Sequence, residues 1–374
     1  MTDNSEEYPG LVNLGATCYI NSVLQCLKFS PSIIEHMLNK KEHANDLKIL
    51  ELINDFDNED DIETNEECKK YNITLQKIKD LNVYFHLKQL LINLLKENNT
   101  VNPANFIIAF KKHSMHAQME LFGGQNDPSE FLIRLLDVIN DSKSYPFKLP
   151  LKYKTIDACG ASIEKQIIFK SQKNMIDTYS KKYSWIIKQF IYQQILITKC
   201  YNCDYYSFQT DPFQDLIVEI PVVESNVNLY DCLDNFFAKE ILNDWKCDKC
   251  NNAQNNSNQR RIINLPETLI VTFKRFKHLD LRSGPTKITK HIDFPTILNL
   301  NKYKLVDRDS ETTYQLYGII NHEGSINNGH YYSFCRNLNN DDTNWYCFND
   351  RHVFKIDESH LITDKAYMLF YKKI

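Results

Sequence analysis

Through roughly the first 145 residues, apolar side chains recur at three- and four-residue steps, the spacing of helices that bury one face. Tyr19, Ile20, Val23, Leu24 and Leu27 make one such stripe and predict a helix beginning at Cys18. Thr17 is its cap candidate, and Gly10 and Gly15 lie in the loop ahead. Tyr84, Leu87, Leu90, Leu91, Leu94 and Leu95 predict a second helix over 83–96. A third is expected from Pro103, with Phe106, Ile107 and Phe110 inward. Asp127-Pro-Ser-Glu130 opens a fourth: the aspartate suits the cap, proline the first helical position, and the glutamate the far end of a capping box. Its buried face is Phe131, Leu132, Leu135, Leu136 and Ile139. From about Ile163 the pattern changes to short runs rich in β-branched and aromatic residues, which predict strands. These fall at 186–198, 205–210, 213–220, 260–265, 268–276, 314–322, 330–336, 351–356 and 366–371, with one helix at 229–240 between them. Most connections are too short for crossover helices, so the sheet is expected to be mainly antiparallel. The acidic stretch 54–70 and the asparagine-rich stretch 251–258 lack periodicity and read as loops.

Composition narrows the class. The 374 residues are 43% hydrophobic and 25% charged, as in an ordinary globular protein with a sizeable core. A net charge of -4 with no dominant basic stripe argues against a nucleic-acid partner. No apolar run reaches membrane-spanning length, and the acidic, polar start is not a secretory signal. Eleven cysteines, an odd number, do not suit a closed disulfide framework. Metal-binding or catalytic thiols in the cytosol or nucleus are expected instead.

Three groups of residues carry candidate chemistry. Cys18 at a helix start would feel the positive end of the dipole, which favours a thiolate; the same position also suits a small buried side chain. His330, at a loop-to-strand junction, is followed by Asn349 and Asp350 in what reads as the next strand of a hairpin. A neighbouring strand can hold such a side chain beside an imidazole, and Cys–His–Asn is an established way to activate a thiol. Cys200-x-x-Cys203 and Cys247-x-x-Cys250 are two knuckles that can wrap one tetrahedral zinc. Four thiolates leave no open position, so that zinc would be structural. The redox reading of C-x-x-C needs a βαβ context that is missing here.

Taken together, the motifs resemble the ubiquitin-specific proteases. Gly10-Leu-Val-Asn-Leu-Gly-Ala-Thr-Cys-Tyr-Ile-Asn-Ser22 is similar to their cysteine box. Tyr314 to Phe334, with His322-Glu-Gly324 and Gly329-His-Tyr331, is similar to the histidine box, continued by Trp345 to Asp350 and Ala366 to Tyr371. Gln125-Asn-Asp127 with Glu130 resembles the glutamine/aspartate box, and Leu265 to Phe276 the central strand motif. Asn126 and Gly318 depart from the residues usual there.

The resemblance implies an α+β fold with a papain-like core: a helical thumb over 8–145, fingers with the zinc knuckles and part of the palm over 160–262, and the palm with the histidine box over 263–374. It implies hydrolysis after the C-terminal glycine of ubiquitin, with ubiquitin conjugates or polyubiquitin as partners and one structural Zn2+. By position Cys18 is the nucleophile, His330 the base, Asn349 the third member and Asp350 a supporting acid. Asn13, otherwise a turn former, matches the residue whose amide stabilises the oxyanion. Gln125, Asp127 and Glu130 match the tail-binding region, where carboxylates can hold the arginines of ubiquitin's Leu-Arg-Leu-Arg-Gly-Gly tail. Asp127 serves equally well as a helix cap, and Glu130 reads first as structural.

Overall fold

The structure is a computed structural model and describes residues 8–39, 74–96, 99–116, 126–148, 150–160, 162–253, 255–277, 286–305, 312–325, 328–339 and 343–374. Gln125 and the acidic stretch 54–70 lie outside the described residues.

Helix α1 (Cys18–Lys28) is buried at every one of its positions, so it is a core helix and not a surface one with a single apolar stripe. Around it lie α2 (Pro31–Met37), α3 (Leu75–Lys96), α4 (Ala104–His116) and α5 (Pro128–Lys143). Tyr19 meets Phe131 edge-on at 5.8 Å, which ties α1 to α5. Two further helices follow: α6 (Ile163–Tyr179), in a stretch where the sequence pattern placed no element, and α7 (Trp185–Phe190), at the start of the strand expected over 186–198. Caps explain both. Ser162 accepts from the Lys165 amide, and Ser184 from the Ile186 amide, so each helix is nucleated by its N-cap in spite of β-branched content.

The strands follow in two sheets and two small pairs. The distal sheet has the order β2-β1-β6-β5 and comprises β1 (Tyr192–Cys200), β2 (Tyr206–Phe213), β5 (Lys239–Leu242) and β6 (Asn256–Asn264), all antiparallel. Two expectations, one helix and one loop, change here. The 229–240 helix ends at Phe236 as α8 (Leu229–Phe236), and 239–242 joins the sheet; the 251–258 stretch becomes β6 from Asn256 onward. Asn256 is fully buried and its amide donates to the Trp245 and Asn252 carbonyls, which fixes that strand start.

The central sheet runs β15-β14-β13-β12-β16-β7-β3, with β11 beside β12. Its strands are β3 (Leu216–Val218), β7 (Thr268–Phe273), β11 (Ile297–Asn299), β12 (Thr313–Gly324), β13 (Gly329–Cys335), β14 (Trp345–Asn349), β15 (His352–Ile356) and β16 (Ala366–Lys373). Pairing is antiparallel except between β3 and β7. The remaining short strands are β4 (Val227–Asn228) parallel to β10 (Ile292–Asp293), and β8 (Phe276–Lys277) antiparallel to β9 (Thr286–Lys287).

Period-two alternation divides this sheet between two cores. Met368 and Phe370 of β16 pack with the helices around α1, whereas Leu369 and Tyr371 pack with α8 on the other face. Register shifts in β12–β16 pairing leave Tyr317 and Tyr367 unpaired. The second shift turns Tyr367 toward the helical side, where its hydroxyl donates to Asp127. At Gly318 β12 and α1 approach closely: a Cβ there would lie 3.2 Å from Cys26 Sγ, so an alanine would need its neighbours to give by a few tenths of an ångström.

Candidate active site

Three separate segments meet at the start of α1. The stretch before it is bolted on both sides: Val101 N donates to Gly10 O at 2.9 Å, Val12 N to Val101 O at 3.0 Å, and Leu11 N to Asp350 O at 2.8 Å. Thr17 takes the N-cap position but makes no side-chain cap bond. Its hydroxyl instead accepts from Leu14 N at 2.9 Å and donates to Asn13 Oδ1 at 3.1 Å. The cap residue therefore shapes the loop, and Cys18 remains buried at the helix start, 2% exposed.

β13 packs against α1 and brings His330 beside Cys18, whose sulfur is the largest influence on the imidazole. On the imidazole's other side Nε2 lies 2.7 Å from Asn349 Oδ1, at the end of β14. An amide oxygen only accepts, so Nε2 carries a hydrogen and Nδ1 is left to face the sulfur. The His330 pKa is raised to about 9, first by the neighbouring Cys18, against burial and with help from Asn349 and Asp350. A thiol beside such a base can give up its proton and persist as a thiolate paired with imidazolium.

Asp350 follows Asn349 in the turn to β15, with a left-handed φ of 52°. Its Oδ2 lies 3.9 Å from His330 Nε2, too far for a hydrogen bond, and 2.9 Å from Asn13 Nδ2. Its Oδ1 accepts from Asn21 Nδ2 at 2.8 Å. Asn13 Oδ1 receives Gly15 N at 3.1 Å and Thr17 N at 3.2 Å. Both ends of the Asn13 amide are thus fixed beside Cys18.

A groove of about 890 Å³ opens at the start of α5, lined in part by Asp127, Glu130, Ile217, Phe236, Phe276 and Tyr367 and by none of Cys18, His330 or Asn349. Asp127 caps α5, accepting from Ser129 N at 2.7 Å, and also accepts from Tyr367. Burial pushes its carboxyl up, against those bonds. Beneath it Asp215 is buried, taking Ser129 Oγ at 2.6 Å and Thr272 Oγ1 at 3.1 Å, and burial raises it too. Glu130 is exposed on the groove wall. The groove is of mixed charge, with Asp127, Glu130, Glu219 and Glu240 interspersed with Arg134, Arg260, Lys274 and Arg275, so what it offers a cationic extended chain is individual carboxylates at the start of α5. Asn21, Asp215 and Tyr367 were not singled out from sequence. Asn21 looked like part of a helix face, and only the bulge brings Tyr367 to Asp127.

At the distal sheet's tip, Cys200, Cys203, Cys247 and Cys250 place their sulfurs within 4.8 Å of one another. Cys200–Cys250 and Cys203–Cys247 separations are 3.7 and 3.6 Å. Bonds of about 2.3 Å to one tetrahedral ion require sulfurs about 3.8 Å apart, so the donor set fits zinc in both chemistry and size. The residue after each knuckle, Asp204 and Asn251, takes a left-handed φ of 52° and 56°, which turns the backbone around the site.

The family model described as ubiquitin carboxyl-terminal hydrolase matches residues 9–371, and the chain belongs to that family. It is accordingly a deubiquitinating hydrolase with an α+β fold. Among its relatives, ubiquitin carboxyl-terminal hydrolase 8 of Saccharomyces cerevisiae is 29% identical over 378 residues, covering 97% of this chain and 70% of that protein. A probable ubiquitin carboxyl-terminal hydrolase of Acanthamoeba polyphaga mimivirus is 24% identical over 430 residues, covering 98% and 90%. A chain in the solved SAGA DUB module Ubp8/Sgf11/Sus1/Sgf73 bound to monoubiquitin superposes with a TM-score of 0.68 at 24% identity, covering 100% of this chain and 71% of that one.

Proposed function

We propose that the chain hydrolyses the peptide or isopeptide bond after the C-terminal glycine of ubiquitin by thiol catalysis, with Cys18, His330 and Asn349 as the triad. The observation that carries this reading is the 2.7 Å contact that holds the His330 ring on Asn349 while β13 packs the same histidine against the helix that begins at Cys18. The Cys18 thiolate attacks the glycine carbonyl, and the developing oxyanion is stabilised by the Asn13 amide. His330 imidazolium gives its proton to the departing amine, leaving a thioester at Cys18. The neutral imidazole then takes a proton from water, which attacks the thioester and frees the thiolate. Asn349 holds the ring in the tautomer this sequence needs.

Ubiquitin is the proposed substrate, its tail lying along the start of α5 with arginine guanidinium groups near the Asp127 and Glu130 carboxylates. A tail ending in two glycines passes a narrow cleft that side chains would block. Zinc on the four cysteines is structural and does not enter the reaction: all four positions are thiolates, far along the distal sheet. A purely ubiquitin-binding role would dispense with the triad, and a general peptidase would have no use for the distal sheet.

Hydrolysis of a fluorogenic ubiquitin amide tests the reaction. Cys18→Ala should abolish turnover while ubiquitin binding stays measurable, and His330→Ala should be nearly as severe. Full activity in Cys18→Ala would overturn the assignment.

A further inference from the structure

We propose that Asn21 is a positioning residue for the oxyanion donor Asn13, acting through the Asp350 carboxylate, an inference that rests on the reaction proposed above. Asp350 Oδ1 is taken by Asn21 at 2.8 Å and Oδ2 by Asn13 at 2.9 Å. The carboxylate is therefore a yoke between two amides, one on the first turns of α1 and one in the loop before it. Its distance to His330, 3.9 Å, makes the imidazole the weaker of its partners.

Asn21 has its amide orientation dictated by its neighbours. Both groups facing Nδ2, Asp350 Oδ1 and Val12 O at 3.3 Å, are acceptors, so the NH2 must face them. Its Oδ1 is then turned into the core with no hydrogen-bond partner, and the residue is 2% exposed. A buried acceptor without a partner costs folding stability. What Asn21 supplies is geometry: one carboxylate oxygen is occupied, which leaves the other aimed at Asn13. With Asn13 Oδ1 held by Gly15 and Thr17, these bonds engage one amide hydrogen and leave the second for the oxyanion.

The test compares two reactions of Cys18. Hydrolysis of a ubiquitin amide builds an oxyanion, whereas alkylation by iodoacetamide displaces iodide at carbon and builds none. Asn21→Leu, which keeps the volume and removes the donor, should lower kcat on the ubiquitin amide by on the order of 10- to 100-fold, with KM little changed. The alkylation rate, read by mass spectrometry of the Cys18 peptide, should stay within twofold of wild type. In an Asn13→Ala background, Asn21→Leu should add no further loss of kcat. Asn21→Ala serves as the second variant, with thermal unfolding followed for both. Equal falls in alkylation and hydrolysis would make the role merely structural and overturn the proposal. Additive losses with Asn13→Ala, or a displaced alkaline limb of kcat/KM, would also overturn it, the latter by routing Asp350 through His330. An active wild type with wild-type-like Asn21 variants overturns this inference alone; an inactive wild type with an alkylatable Cys18 overturns the proposed reaction and this inference with it.

Discussion

Gly10 lies outside the proposed chemistry, yet its replacement by alanine should damage catalysis. A Cβ there would sit 2.5 Å from the carbonyl oxygens of both Asp350 and Arg351, where ordinary contact starts at 3.4 Å. The two segments must part by about 0.9 Å, and neither obstructing atom can rotate away because both are backbone. The Leu11 N to Asp350 O bond of 2.8 Å spans the same gap, so it lengthens with it. Taken up wholly there, the displacement stretches the Asn13–Asp350 contact from 2.9 Å to about 3.8 Å, beyond hydrogen-bonding range. A misplacement of about 1 Å near a reacting centre can cost on the order of 100-fold in rate. Overpacking of this kind costs about 1–3 kcal/mol of stability. Gly160→Ala is the control: its φ of 57° strains an alanine by about 1–2 kcal/mol, and nothing lies within 4 Å of the added carbon. Turnover of a ubiquitin amide should fall 10- to 100-fold in Gly10→Ala and stay normal in Gly160→Ala, with thermal melts showing comparable destabilisation. A folded Gly10→Ala enzyme with kcat within twofold of wild type would refute the reasoning.

Two further outcomes concern charge and metal. His330 is raised to about 9, first by Cys18, so imidazolium and its contribution to stability are complete below the unfolded value near 6.5 and lost as pH rises through about 9. Activity should therefore fall on the alkaline side near pH 9, and an NMR titration of His330 should move down toward 6.5 in Cys18→Ala; an unmoved titration would remove the ion pair from the mechanism. Metal analysis should find about one zinc per chain, and Cys203→Ser should lose it along with stability of the distal sheet. Among the described residues that sheet has only a small buried cluster of its own, Ile167, Ile195 and Phe208, so full protection from hydrogen exchange there without metal would contradict a structural role.

The sequence was most legible where one physical rule acted alone. The stripe at Tyr19 to Leu27 and the capped opening at Asp127 gave helices that begin within a residue of their observed starts. Strands buried on both faces, such as 268–273 and 366–373, announced themselves by composition. Helix α7 stands at the start of an expected strand because a single serine cap outweighs β-branched content, an effect of one side chain that pattern reading averages away. Asn21 was hidden for another reason. Its position on a helix follows from spacing, but its function depends on Asp350, whose side chain arrives from a turn more than three hundred residues away. Tyr367 was hidden by a register shift, since uninterrupted pleating would have sent it to the opposite face.

These two hidden contacts share a cause that bears on how the site tolerates change. Cys18 stands on a helix buried on all sides, which leaves the sulfur little freedom. The proposed base and oxyanion donor have no comparable casing: His330 is partly exposed, and Asn13 lies in a loop. Their alignment is instead imposed at the Asp350 turn, where α1, the preceding loop and β14 are joined by side-chain amides and one close backbone approach. A substitution in the helix core, such as Leu24→Ala, should cost about 2–5 kcal/mol of stability and leave kcat per folded molecule nearly intact. Gly10 and Asn21 should behave the other way round, losing turnover faster than they lose stability.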